Sequence, residues 1–161
     1  MPNVGATSEV ALDFSSQSAE QSTGGVYINF IPRDGGNTFK SSTFLAFANE
    51  HMASSNFTQR LRDRGLTAVD SINKNWDFNP GFGGPIKRDR MWYYATFRYE
   101  GAKNYAAGIF PNKNAFKPDV WTYDPDTSRK TFGLVTDLED AQLRATYQAN
   151  VKHKFTFSYA N

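Results

Sequence analysis

The chain has 161 residues, 39% hydrophobic and 16% aromatic, so aromatic side chains supply a large share of its apolar content, as in strands rather than helices. The 18 basic and 16 acidic residues leave a net charge of +2, which favours neither nucleic acid nor a strongly acidic partner, and with no cysteine there is no disulfide, iron–sulfur or thiolate chemistry. Mean hydropathy is −0.60, and no apolar run approaches the roughly 18 residues of a membrane helix, a test that alternating barrel strands do not meet either.

Residues Met1 to Thr23 are polar and Ser-rich. The opening MPNVGATSEV has no basic segment followed by an apolar core, so any secretion signal is expected upstream. Val10, Leu12 and Phe14 alternate and predict a short strand, and Ser18-Ala19-Glu20-Gln21 could form one turn of helix. Gly25 to Arg33 predicts a clear strand with Val26, Ile28 and Phe30 on one face. Pro32 ends its pairing, and Asp34-Gly35-Gly36-Asn37 is a strong turn. The Asp-Gly-Gly-Asn run lacks the regularly spaced acidic ligands and terminal Glu of a calcium loop, so it reads as an ordinary turn.

Thr38 to Ala48 predicts a strand. A short helix follows, capped by Ser55 or Asn56, carrying Phe57 and Leu61, and stopped by Gly65. Arg60, Arg62 and Arg64 read as its solvated face. Asn75 to Gly101 then predicts a β-hairpin around Lys87-Arg88-Asp89-Arg90. Past the turn, Met91, Tyr93, Ala95, Phe97 and Tyr99 share one face, and Trp92, Tyr94, Thr96, Arg98 and Glu100 the other. Pairing Ile86 with Met91 sets Gly84 opposite Tyr93, which could cover the bare glycine.

Ala102 to Asp140 predicts a long irregular loop, with Pro111, Pro118 and Pro125 among scattered aromatics and the acidic run Asp137-Leu138-Glu139-Asp140 solvated. A structureless segment of that length is unusual in a compact soluble domain and ordinary on the outer side of a barrel. Leu143, Ala145, Tyr147 and Ala149 then alternate with Arg144, Thr146, Gln148 and Asn150. After a turn at Val151-Lys152-His153-Lys154, Phe155, Phe157 and Tyr159 alternate with Thr156 and Ser158. His51 and His153 have no ligand or triad spacing around them, and no paired carboxylates are evident, so no enzymatic activity and no cofactor or metal is expected.

Two environments suit these strands: a soluble sandwich, or a barrel with lipid outside and a polar lumen inside. The run Gly83-Gly84-Pro85-Ile86-Lys87-Arg88-Asp89-Arg90-Met91-Trp92-Tyr93-Tyr94 resembles the first periplasmic turn of TonB-dependent outer-membrane receptors, above all the Oar-like subgroup. Upstream, Gly24 to Asn37 resembles the passage from that family's plug domain into its barrel. The resemblance implies an all-β fold: about five strands of a partial antiparallel up-and-down transmembrane β-barrel, preceded by the last segment of a plug. It sets residues 1–37 as the plug end and 38–161 as the first strands of a barrel of about 22, so that the chain is a fragment of a larger protein.

The same resemblance implies a plug–barrel junction at Gly35, Gly36 and Asn37, and periplasmic turns at Lys87, Arg88, Asp89, Arg90, Lys152, His153 and Lys154. Ala95, Phe97, Leu143, Ala145, Tyr147, Phe157 and Tyr159 would face lipid, and Thr96, Arg98, Arg144, Thr146 and Ser158 the lumen. Arginine at Phe97 should then be costly and at Thr96 much less so. The implied function is import of a scarce nutrient, such as an iron chelate, cobalamin or a glycan, across the outer membrane of a Gram-negative bacterium. Its partners would be outer-membrane lipid, an unidentified substrate, and the TonB complex reached through a part of the parent upstream of this chain. The alternative is a secreted β-sandwich that binds a ligand or carbohydrate, with Trp121 and Tyr123 as stacking platforms.

Overall fold

The computed structural model describes residues 3–14 and 25–161. A 3-10 turn at Val4–Ala6 leads into strand β1 (Thr7–Asp13), followed by β2 (Tyr27–Pro32) and β3 (Lys40–Asn49). The short helix α1 (Gln59–Asp63) precedes β4 (Ser71–Lys87), β5 (Met91–Tyr105), β6 (Phe132–Asn150) and β7 (His153–Ala160). Strands β1 and β2 form an antiparallel pair of their own, with Val10 opposite Phe30 and Leu12 opposite Ile28. Strands β3 to β7 form a five-stranded sheet in simple sequence order, the up-and-down arrangement expected, with β3 and β7 as its open edges. The Ser18–Gln21 turn expected from sequence lies outside the described residues.

Strands β4, β5 and β6 run 17, 15 and 19 residues, against about 5–6 for an ordinary strand. They shorten the irregular stretch expected over 102–140, because β5 continues to Tyr105 and β6 begins at Phe132. The acidic run Asp137 to Asp140 therefore lies in β6 and not in a loop. Backbone pairing sets strand length, and it continues where apolar alternation stops. Helix α1 is also shorter than expected and starts later: Thr58 occupies the N-cap position without a side-chain bond. Ser55 Oγ instead accepts from the Phe57 amide at 3.2 Å. Gly65, at φ 92°, ends the helix as expected.

The chain divides into two compact units. The first contains Met1–Phe44, Phe78–Tyr99 and Glu139–Asn161, and the second Leu45–Asp77 and Glu100–Leu138. Both tight turns, 88–90 and 151–152, belong to the first unit, and both long connections belong to the second.

In the first unit the two faces of the sheet differ. Asn79, Gly81 and Gly83 of β4 and Tyr94, Thr96 and Arg98 of β5 are buried, whereas Phe78, Phe82 and Phe97 are exposed. The Tyr94 ring fills the space that side chains at Gly81 and Gly83 would need; a Cβ at Gly81 would lie 2.8 Å from the Tyr94 hydroxyl oxygen. On the other face Gly84 is covered by the Phe39 ring rather than by Tyr93. Phe39 leads into β3, the strand beside β4, and so reaches Gly84 from the opposite side. Tyr93 packs edge-on against Phe82, with ring centres 6.1 Å apart.

In the second unit, Trp76 lies over Gly101, and Tyr105 stacks on Phe132 with ring centres 4.9 Å apart. The connection between β5 and β6 is structured by its own polar groups. Lys113 N donates to Asp124 O (2.8 Å) and Asp126 N to Pro111 O (2.8 Å), while Asn112 Oδ1 accepts from Asn114 N and Asp124 N. Ser128 donates to Asp126 through its hydroxyl and its amide, and the hydroxyl bond above all holds the Asp126 carboxyl below its ordinary value.

Candidate functional site

The residues of interest lie where the N-terminal segment meets the buried face of the sheet. Asn3, 2% exposed, is the centre of the upper contact. Its Oδ1 accepts from Gly5 N and from Asn79 Nδ2, each at 2.9 Å, and its Nδ2 donates to Asp140 Oδ1 at 2.6 Å. Tyr94 adds a hydroxyl bond to Gly5 O at 3.2 Å. Arg33 ties β2 back to the same turn: its amide donates to Ala6 O (2.7 Å) and its Nε to Thr7 O (2.8 Å). Both polar ends of the Asn3 side chain thus have partners, which offsets their desolvation.

The Asp34–Asn37 run continues the attachment. Asp34 Oδ1 accepts from Arg144 Nε of β6 at 2.5 Å, an ion pair with its ends 46% and 27% exposed. Gly35 lies flat against β5; a Cβ there would sit 2.7 Å from Tyr93 N and closer still to Tyr93 O. Asn37 then grips the turn between β4 and β5. Its Oδ1 accepts from Trp92 Nε1 (2.6 Å) and Asp89 N (2.9 Å), and its Nδ2 donates to Asp89 Oδ1 (2.5 Å). Asp89 adopts φ 60°, a left-handed conformation that the two Asn37 bonds hold in place. Gly36, the middle member of the expected junction, is open to solvent.

The expected turn residues divide. Arg88, Asp89 and Arg90 form the first turn, closed by Arg90 N to Lys87 O at 3.1 Å, so Lys87 is the last residue of β4. Lys152 lies in the second turn, but His153 and Lys154 belong to β7. The second turn is tighter than its charges suggested because Asn150 Oδ1 accepts from both Lys152 N (2.9 Å) and His153 N (3.0 Å).

The residues expected on opposite faces also take definite positions. Phe97, Leu143, Tyr147, Phe157 and Tyr159 are exposed, at 41%, 40%, 40%, 61% and 55%, and Ala95 and Ala145 are intermediate. Thr96, Arg98 and Thr146 are buried, Arg144 is half-buried against Asp34, and Ser158 is exposed while accepting from Arg144 Nη1 at 3.1 Å. Strand β7 pairs antiparallel with β6 so that Ala145 meets Phe157 and Thr146 meets Thr156.

This chain is similar to a TonB-dependent transporter. The TonB-dependent transporter Oar of Myxococcus xanthus is 28% identical over 150 residues, covering 86% of this chain. The chain spans only 14% of that protein's length. No family model matches, and no solved structure matches. The similarity to Oar thus takes in most of the chain described above.

Sequence reading missed the contacts that Asn3, Asn79 and Tyr94 make and read Asp34 only as a turn former. Asn3 gave no signal, since it stands alone in a polar stretch. Arg144 did carry one, since a charge on the face opposite an apolar row needs a partner, but nothing in the sequence singled out Asp34 as that partner.

Proposed function

We propose that this chain is the part of a TonB-dependent outer-membrane transporter where the plug ends and the barrel begins, with residues 1–37 as plug and 38–161 as barrel. The observation that carries this reading is the contrast between the faces of the first unit. One face is bonded through polar groups to Asn3, Gly5 and Asp34, and the other leaves Phe97, Leu143, Tyr147, Phe157 and Tyr159 exposed in alternation. A lumen filled by a plug and an outer surface wetted by lipid account for both faces at once. Strand length agrees, since 15 to 19 residues exceed the roughly 9–11 that cross a bilayer at a tilt. A soluble sandwich would need a second sheet over the exposed row, and among the described residues none covers it.

On this reading the parent protein resides in the outer membrane of a Gram-negative bacterium and imports a scarce nutrient, such as an iron chelate, cobalamin or a glycan, without catalysing a reaction. The TonB complex supplies energy through another part of the parent. Among the described residues no cluster of three or more acidic or histidine side chains is placed to hold a metal.

Depth-dependent quenching tests the proposal. The chain contains no cysteine, so single cysteines at Phe157, Leu143, Thr156 and Ser158 can each carry an environment-sensitive fluorophore in the full-length protein in vesicles. Brominated lipid should quench labels at 157 and 143 and spare those at 156 and 158. Equal quenching at all four sites would remove the barrel reading.

A further inference from the structure

The two tight turns form one continuous surface. Arg90 O accepts from Gln148 N at 2.8 Å, and Arg90 Nη2 donates to Ala149 O at 3.4 Å, so the first turn abuts the end of β6 where the second begins. Arg88, Arg90 and Lys152 are exposed at the tips, with His153 beside them. Asp89 is the carboxylate among them, and it is drawn to Asn37 Nδ2 at 2.5 Å. Both turns are held in shape, the first by Asn37 and the second by Asn150. The cations therefore sit on a preformed frame.

Beside these charges the apolar face begins at once. Ile86 is 60% exposed next to the first turn, Val151 is 99% exposed within the second, and Phe155 and Phe157, each 61% exposed, follow it along β7. Lys154 belongs to the other face, since it lines the cleft beside Asp34, Asn37 and Thr146. A ligand that satisfies this surface needs an anionic group at the tips and an apolar body along the strands. Soluble anions meet only the first requirement, and neutral lipids only the second.

We infer that Arg88, Arg90 and Lys152 form a headgroup site for an anionic phospholipid whose acyl chains lie along Ile86, Phe155 and Phe157. This rests on the barrel reading, which places the row against lipid. Basic side chains beside a membrane each strengthen attraction to anionic lipid, and the attraction decays within a Debye length, so cations at the sheet end act where those farther off do not.

Native mass spectrometry of the full-length protein, released from detergent, tests the site with phosphatidylglycerol and phosphatidylcholine of matched acyl chains. The wild type should retain phosphatidylglycerol preferentially. The triple variant Arg88→Gln/Arg90→Gln/Lys152→Gln should lower that retention by about tenfold or more and leave phosphatidylcholine unchanged. Arg88→Lys/Arg90→Lys should keep the preference. Equal retention of both lipids by the wild type, or undiminished phosphatidylglycerol on the triple variant, would overturn the site. Displacement of the lipid by millimolar inorganic phosphate would overturn the lipid assignment in favour of a free anion. A heat-modifiable band on a denaturing gel monitors the barrel separately. Its absence from the wild type overturns the barrel and the site together, whereas a folded wild type without lipid preference overturns the site alone.

Discussion

Asn37 Oδ1 accepts two hydrogen bonds and Nδ2 donates a third, so its two natural replacements fail in different ways. Asn37→Ala strands Trp92 Nε1 and Asp89 N and should cost about 1–2 kcal/mol. Asn37→Asp keeps both accepted bonds but sets a second carboxylate against that of Asp89. Its deficit should be largest at neutral pH and shrink as acid protonates one of the pair. Thermal unfolding of the full-length protein across pH separates the two, because the Ala deficit should not shrink in acid. Gly35→Ala meets backbone rather than a movable side chain, with Tyr93 N only 2.7 Å from the new Cβ, so it should cost about 1–3 kcal/mol by the same measurement. The turn was legible in Asp34 to Asn37 because Gly and Asn favour such conformations. Its attachments were not, because hydrogen bonds across 52 and 110 residues leave no periodic trace.

At the level of the strand, alternation was the readable signal, and it held wherever one face is apolar. It could not show what covers the polar face. Arginine was expected to cost much less at Thr96 than at Phe97, but Thr96 is 4% exposed beside the Tyr94 ring, so a charge there is desolvated as well and the pair does not isolate the lipid face. Strand β7 offers the cleaner comparison. Phe157→Arg should cost about 2–4 kcal/mol in the membrane-embedded protein, and Thr156→Arg, exposed on the opposite face, should cost well under half of that. The fraction of heat-modifiable protein across a urea series measures both. Equal losses would contradict the facing. The β5–β6 connection was read as irregular because its order comes from side-chain bonds to its own backbone. Asn112→Ala removes the acceptor for two amides and should raise amide exchange at Asn114 and Asp124 without altering the sheet. Acid should loosen the Asp126–Ser128 turn as well. The lowered carboxyl keeps its bonds above the ordinary value of 3.8 and loses them as pH falls through its own, lower one.

For the molecule as a whole, the exposed side chains decide the outcome in water. Edges at β3 and β7 present unpaired backbone groups, and Phe44, Phe47, Phe155, Phe157 and Tyr159 stand more than half exposed. The 161-residue chain expressed alone without detergent should aggregate. Light scattering and near-UV circular dichroism check this; a monodisperse monomer with a cooperative transition would promote the soluble alternative. Fold class was legible from composition and alternation, since aromatic-rich strands with short turns leave few other solutions. Strand ends were not, because β6 pairs through its acidic residues as readily as through its apolar ones.

The reach of the Asp34–Asn37 contacts also orders assembly. The hairpin of β4 and β5 closes over a three-residue turn and can form early, as local contacts do. Asn37 can engage Asp89 only after that turn exists, and Asp34 can meet Arg144 only once β6, 110 residues away in sequence, has joined the sheet. Loop closure of that length delays the ion pair relative to the hairpin. The segment Asp34–Asn37, although earlier in sequence than these strands, therefore docks only after β4, β5 and β6 have paired, and the same four residues report that those strands are in register.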